Sequence, residues 1–144
     1  MSELASSAAA FRVWGDTLVP SEITALLRCQ PTYSHSKDDT KTTSSGHIVT
    51  RKSGVWCLEA PDAKPGDIDA QILQVLAKLP DDLPMWRRLA RTFGLDFYCG
   101  LFMGATNDGL SLSVRTLSAL ADRGIELQLD IYAPVAERFV ETQP

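Results

Sequence analysis

The run Ile125-Glu126-Leu127-Gln128-Leu129-Asp130-Ile131-Tyr132 alternates apolar and polar residues without a break. Only an extended strand buried on one side puts every second side chain on the same surface. Upstream lie a dense apolar run, Phe97 to Met103, a turn-rich loop from Gly104 to Gly109, and a helical pattern from Ser113 to Arg123. Strand, helix, strand over residues 97–132 is a crossover unit whose two strands can pair in parallel. It predicts that Ile125, Leu127, Leu129 and Ile131 face a core. The helix between is predicted to turn Val114, Leu117, Leu120 and Ala121 inward, with Gly124 as its C-terminal cap. Phe97 to Met103 is apolar on both faces, which predicts a central, covered strand with a bulge or close contact at Gly100.

A chain of 144 residues, 44% apolar and 22% charged, reads as one globular domain large enough to need no staple. The expected boundaries are a frayed, small and polar segment 1–8, a single α+β domain over 9–133, and a C-terminal tail over 134–144. Ala9 to Gly15 reads as a first strand. Pro20 opens a helix with Ile23, Leu26 and Leu27 on its buried stripe. Residues 32–46 are the most polar stretch and are expected to be an unpaired surface loop. Residues 47–51 and 55–59 look like a hairpin closed around Lys52-Ser53-Gly54. Asp67 is the expected N-cap of a helix whose apolar face is Ile68, Ile72, Val75, Leu76 and Leu79. A further helix carries Met85, Trp86, Leu89 and Phe93 and stops at Gly94.

Phe11-Arg12-Val13-Trp14-Gly15 before Pro20 echoes Leu101-Phe102-Met103-Gly104 before Ser113. The fold expected is therefore α+β: a mixed sheet from two βαβ-like halves, a ferredoxin-like duplication, with helices packed mainly on one face.

The chemistry-bearing patterns are sparse. The nucleophile elbow, the P-loop and the dinucleotide fingerprint are absent from the sequence. Ser34-His35-Ser36-Lys37 matches S-x-x-K in form, but in a polar loop instead of at a helix start. His35, Asp38, Asp39 and His47 could supply metal ligands, yet no helical spacing fixes them. Cys29, Cys57 and Cys99 have neither a C-x-x-C spacing nor an even count, which predicts reduced, buried thiols. The acidic pairs Asp67/Asp69 and Asp81/Asp82 fit helix starts. Arg87, Arg88 and Arg91 fit a solvated helix face. Asn107-Asp108-Gly109 is either a tight turn or a phosphate-cradling one. Trp56, beside the polar loop, is the tryptophan best placed to wall a pocket. Asp130 and Tyr132 lie on the polar side of the last strand and would point at whatever an open sheet face binds.

The ordered set Phe11-x-Val13-x-Gly15, Pro20-x-x-Ile23-x-x-Leu26-Leu27, Gly54-x-Trp56-x-Leu58, Asp67-Ile68-x-x-x-Ile72 and Leu117-x-x-Leu120-x-x-x-Gly124 through Tyr132 resembles the bacterial family catalogued as domain of unknown function 4279. The resemblance spans residues 11–132. It carries no assigned chemistry. It implies an immunity-like role as one option, because some members accompany polymorphic toxin systems. Relatives often carry Lys-Gly followed by an acid after the first helix, where this chain has Lys37-Asp38-Asp39.

The function expected from the residues is a cytoplasmic, non-catalytic binding module, immunity-like in its sharpest form, whose partner is a toxin-like protein or a second copy in a homodimer. The alternative is a small-molecule binder or minor enzyme with a pocket beside residues 32–46. The candidate binding residues are His35, Lys37, Asp38, Trp56, Asn107, Asp130 and Tyr132; no catalytic residue, metal or cofactor is expected. The net charge of −4 argues against nucleic acid as partner. No run is long and apolar enough for a membrane span, and the first residues do not form a signal peptide.

Overall fold

The computed structural model describes residues 2–135. The elements in order are β1 (Ser2–Glu3), β2 (Ser6–Gly15), α1 (Pro20–Leu27), β3 (Tyr33–His35), β4 (Thr40–Thr42), β5 (Ile48–Thr50) and β6 (Gly54–Glu59). They continue with α2 (Ile68–Leu76), α3 (Leu83–Thr92), β7 (Gly94–Phe102), β8 (Asp108–Gly109), α4 (Val114–Arg123) and β9 (Glu126–Tyr132). The main sheet has five strands in the order β3-β6-β2-β7-β9. All its pairs are antiparallel except β7 with β9, which run parallel through the α4 crossover. The fold is α+β with a mixed sheet.

Strand alternation decides the core. On one side of β2, Ala9, Phe11 and Val13 are buried, and their neighbours on β6 and β7 are Trp56, Leu58, Leu95, Phe97, Cys99 and Leu101. These pack with Ile23 and Leu27 of α1, Ile68, Ile72 and Val75 of α2, Trp86 and Leu89 of α3, and Leu120 of α4 in one cluster. The four helices of the described residues, α1 to α4, therefore cover the same face. The aromatic centre is Phe11, whose ring meets Trp56, Trp86 and Phe97 at centroid distances of 6.2, 5.6 and 5.6 Å. The helix starts are capped as their sequences suggest. Asp67 accepts from the Ala70 amide at 3.0 Å, Asp82 from Met85 at 3.3 Å, and Ser113 from Thr116 at 3.1 Å.

Several expectations are corrected. The first is the repeat: β7 and β9, joined by α4, pair directly in parallel, whereas β2 and β3, joined by α1, run parallel with β6 between them, so the two halves differ and a ferredoxin-like duplication is not seen. The N-terminal segment is held, not frayed. Leu4 and Ser7 are buried, and Ser7 Oγ donates to Gln71 Oε1 at 2.6 Å while the Gln71 amide donates to the Ser7 and Pro61 carbonyls. Small residues at Ser6 to Ala10 let β2 run on beneath α2.

The polar stretch 32–46 is also ordered. Tyr33–His35 adds an edge strand to β6, and Thr40–Thr42 pairs with Ile48–Thr50 in a separate ribbon. β5 therefore pairs with β4 and not with β6, so the predicted hairpin does not form. The β-branched threonines suffice for a ribbon that buries little.

The crossover helix is rotated from its expected setting. Thr116 and Leu120 face inward, while Val114 and Leu117 are exposed. Thr116 is drawn in by its contact with the Ser113 hydroxyl, which donates to it at 3.0 Å, and Ser113 in turn is anchored to Asp69 of α2. Ile125, just before β9, and Leu127 on it pack against the core, but Leu129 and Ile131 are 44% and 62% exposed, beyond the reach of the helices. Residues 136–144 of the expected tail lie outside the described residues.

Candidate functional site

Since the helices occupy one side of the sheet, the other side is left to residues of opposite parity. β2 contributes Ala8, Ala10, Arg12 and Trp14; β7 contributes Asp96, Tyr98, Gly100 and Phe102; β9 contributes Gln128, Asp130 and Tyr132. β6 and β3 add Cys57, Glu59 and Tyr33. β7 is thus central but covered on one side only. Gly100 sits in unbroken register opposite Ala8, without a bulge.

Residue size shapes this face into a hollow of about 360 Å³. Ala8, Ala10 and Gly100 form a low floor, and Tyr33, Tyr98, Phe102 and Tyr132 rise around it. A Cβ at Gly100 would stand 3.2 Å from the Phe102 ring, so glycine keeps both the floor low and that ring close. Phe102 and Tyr132 stack at 4.8 Å with their planes 6° apart. Glu59 and Asp62 close the rim. A second hollow of about 290 Å³ lies beyond Arg12, against Trp14, Val55 and Asp96.

Arg12 divides the two hollows and is held by Asp96. Its Nε and Nη2 donate to the two carboxylate oxygens of Asp96, each at 2.8 Å, in a bidentate pair. Gln128 Nε2 donates to Asp96 at 3.0 Å, and the guanidinium lies 4.7 Å from the Tyr98 ring centre. The hydrogen bond to Asp96 raises the Arg12 pKa above its already high value. Asp96 is 1% exposed, so this charge pair is neutralised at the sheet surface.

Asp130 is organised differently. The Tyr98 and Tyr132 hydroxyls both donate to its Oδ2, at 2.7 and 2.5 Å. The two bonds hold the Asp130 carboxyl below the usual carboxylate range, Tyr132 first and Tyr98 second. Reciprocally, the bond to Asp130 is the main cause that raises both tyrosines. Both hydroxyls use Oδ2, and among the described residues no donor reaches Oδ1. Across the hollow, Tyr33 is pushed up to about 12 by desolvation of its hydroxyl and by a hydrogen bond with Cys57. Burial likewise raises the Cys57 thiol. Near neutral pH the Tyr33, Tyr98 and Tyr132 hydroxyls therefore stay protonated, the Asp130 carboxyl stays ionised, and the buried Cys57 thiol is unreactive.

Of the residues singled out from sequence, Tyr132 lines this hollow and Asp130 stands beside it, accepting from the Tyr98 and Tyr132 hydroxyls. Trp56 does neither. It is fully buried under the opposite face, its indole N–H donating to Thr24 Oγ1 at 3.0 Å, so it cannot wall a pocket. His35 ends β3 with Nδ1 buried and without a hydrogen-bond partner among the described residues. Lys37 pairs loosely with Asp16 at 3.7 Å, and Asp38 occupies a left-handed turn with φ of 71°. Asn107 is exposed in the loop that Asp108 ties down by accepting from the Gly104 amide at 2.8 Å. His35, Asp38, Asp39 and His47 do not converge: among the described residues no group of three or more such side chains could hold a metal ion. No helix of the described residues is long and apolar enough to cross a membrane. Arg12, Asp96, Tyr98, Tyr33 and the alanine floor were missed. The residue spacing of Arg12 and Asp96 carries no signal of their pairing, although the alternation of β2 does place Arg12 opposite its core residues.

No curated protein and no solved structure matches the chain. A family model described as domain of unknown function (DUF4279) matches residues 4–134, which takes in the five-stranded sheet and α1 to α4. The chain belongs to that family.

Proposed function

We propose that this protein is a non-catalytic binding module, immunity-like in kind, that receives a basic segment of a protein partner on the open face of its sheet. The observation that carries the reading is the hollow itself. Aromatic faces surround a floor of alanine and glycine, Glu59 and Asp62 line it with negative charge, Asp130 stands beside it on the Tyr98 and Tyr132 hydroxyls, and Arg12, the one cation of the lining among the described residues, is already matched by Asp96. Aromatic rings beside carboxylates that have no ion-pair partner among the described residues suit a guanidinium or ammonium group, which gains both ring and charge contacts. The same balance repels phosphate backbones. Groups whose protonation is fixed around neutral pH suit binding better than proton transfer.

A hollow of about 360 Å³ also falls at the small end of the range for small-molecule sites. A compact organic cation is therefore the second reading. Titration of the isotopically labelled protein with hexa-arginine, hexaglutamate and free arginine separates these. Shifts of the Tyr98, Gly100 and Tyr132 amides with hexa-arginine, weakened by Asp130→Asn together with Glu59→Gln, are expected. Equal response to free arginine would favour the small cation. Absence of any shift at these amides with either cation, or binding of hexaglutamate there, would refute both.

A further inference from the structure

We infer that the outer edge of β9 is a self-pairing surface, on which a second copy of this chain adds its own β9 antiparallel to join two sheets into one. The two edges of the sheet are unlike. β3, at one edge, is three residues long and is followed by the left-handed Asp38. β9, at the other, is seven residues long, with no proline, lysine or arginine between Glu126 and Tyr132. Short strands, bulges, lysines, prolines and a covering segment are the usual protections of an edge; Glu126 to Tyr132 has none of the first four, and no strand among the described residues pairs with its outer side. Its only acid near the centre, Asp130, is folded back onto Tyr98 and Tyr132.

The hydrogen-bond parity of β9 fixes the register. The Tyr132 carbonyl accepts from the Met103 amide at 3.1 Å, so Tyr132 turns its backbone groups toward β7. Along a strand these groups alternate sides, so those of Leu127, Leu129 and Ile131 point outward. In an antiparallel pair centred on Leu129, that residue exchanges both hydrogen bonds with its own copy, and Leu127 does so with the second copy's Ile131. The outward parity is the one such a two-fold axis requires. Side chains agree as well. On the helix side, Leu129 meets Leu129 and Leu127 meets Ile131, which covers the two exposed apolar residues of the strand. On the open side, Gln128 meets Asp130 and Glu126 meets Tyr132, so no like charges oppose. α4, which enters β9 through Gly124, turns Val114 and Leu117 to solvent on the helix side of the sheet. A strand edge this short buries less than the roughly 800 Å² per partner of a standard interface, which puts the pairing among the smaller, weaker interfaces.

Sedimentation velocity of the full chain from about 1 to about 200 μM is the test. Mass rising toward two chains across that range is expected. Leu129→Lys and Leu129→Glu, each facing itself across the axis, should weaken association at least about tenfold, while an equimolar mixture of the two associates again. A wild-type chain that stays at one mass, a Leu129→Lys variant that dimerises unchanged, or a mixture that does not recover would each overturn the proposal. Should the charged variants fail to fold, Leu129→Cys in a Cys29→Ser background replaces them. Antiparallel hydrogen-bonded partners lie about 5.5 Å apart at Cα, within disulfide reach. Mild oxidation should then cross-link Leu129→Cys well ahead of Val19→Cys, an exposed position before α1; equal rates would count against the pairing.

Discussion

Replacing Asp96 by alanine tests whether the open face is held by its charge pair. The carboxylate is 1% exposed and accepts three side-chain hydrogen bonds, two from Arg12 at 2.8 Å and one from Gln128 at 3.0 Å. Breaking a buried pair from one side costs about 3–5 kcal/mol, because the remaining charge stays desolvated. Here the Arg12 side chain is 30% exposed and can turn part of its guanidinium to water, so the expected loss is smaller, about 2–3 kcal/mol. With a urea slope of about 2 kcal/mol/M, the unfolding midpoint of Asp96→Ala should fall by about 1 M or more. The paired replacement Arg12→Met with Asp96→Leu leaves no orphaned charge and should recover most of that loss. A fall below about 0.5 kcal/mol for the single variant, or a double variant no more stable than the single one, would refute the reasoning.

Two further outcomes follow from neighbouring contacts. A Cβ on Gly94 would lie 2.1 Å from the Trp14 indole, so Gly94→Ala should displace that ring and cost about 1–3 kcal/mol, read by thermal unfolding and near-ultraviolet circular dichroism; an unchanged spectrum would contradict the packing. Tyr98 and Tyr132 are raised by their bonds to Asp130, whose own carboxyl is lowered. The tyrosines' contribution is therefore fully present below the ordinary tyrosine pKa of about 10 and is lost as pH rises through their raised values. That of Asp130 is present above the ordinary carboxylate pKa of about 4 and is lost as pH falls through its lowered value. Asp130→Asn should bring part of the tyrosinate absorbance titration to lower pH, and an unmoved curve would show that these bonds do not form.

Local periodicity made most elements legible, and long-range pairing accounts for most of what it missed. The strict alternation of residues 125–132 and the apolar spacing of Ile68, Ile72 and Val75 each describe an element that buries one side, and the strand and helix form there. α4 was placed correctly but turned wrongly, because a buried threonine held by Ser113 and Asp69 outweighs the exposed Val114. Polar composition concealed β3, since an edge strand needs only backbone bonds to its neighbour. Of the site, Asp130 and Tyr132 followed from strand parity. The floor of Ala8, Ala10 and Gly100 did not, because small residues read as nothing until three of them lie on adjacent strands.

The three tryptophans are divided by the sheet. Trp56 and Trp86 are sealed within the core at 0% exposure, whereas Trp14 lies at 44% against the second hollow of the open face. A polar quencher such as acrylamide should extinguish the emission of Trp14 alone in the native protein. The molecule thus carries an intrinsic fluorophore on the surface where a partner would sit, and occupancy can be followed without a label.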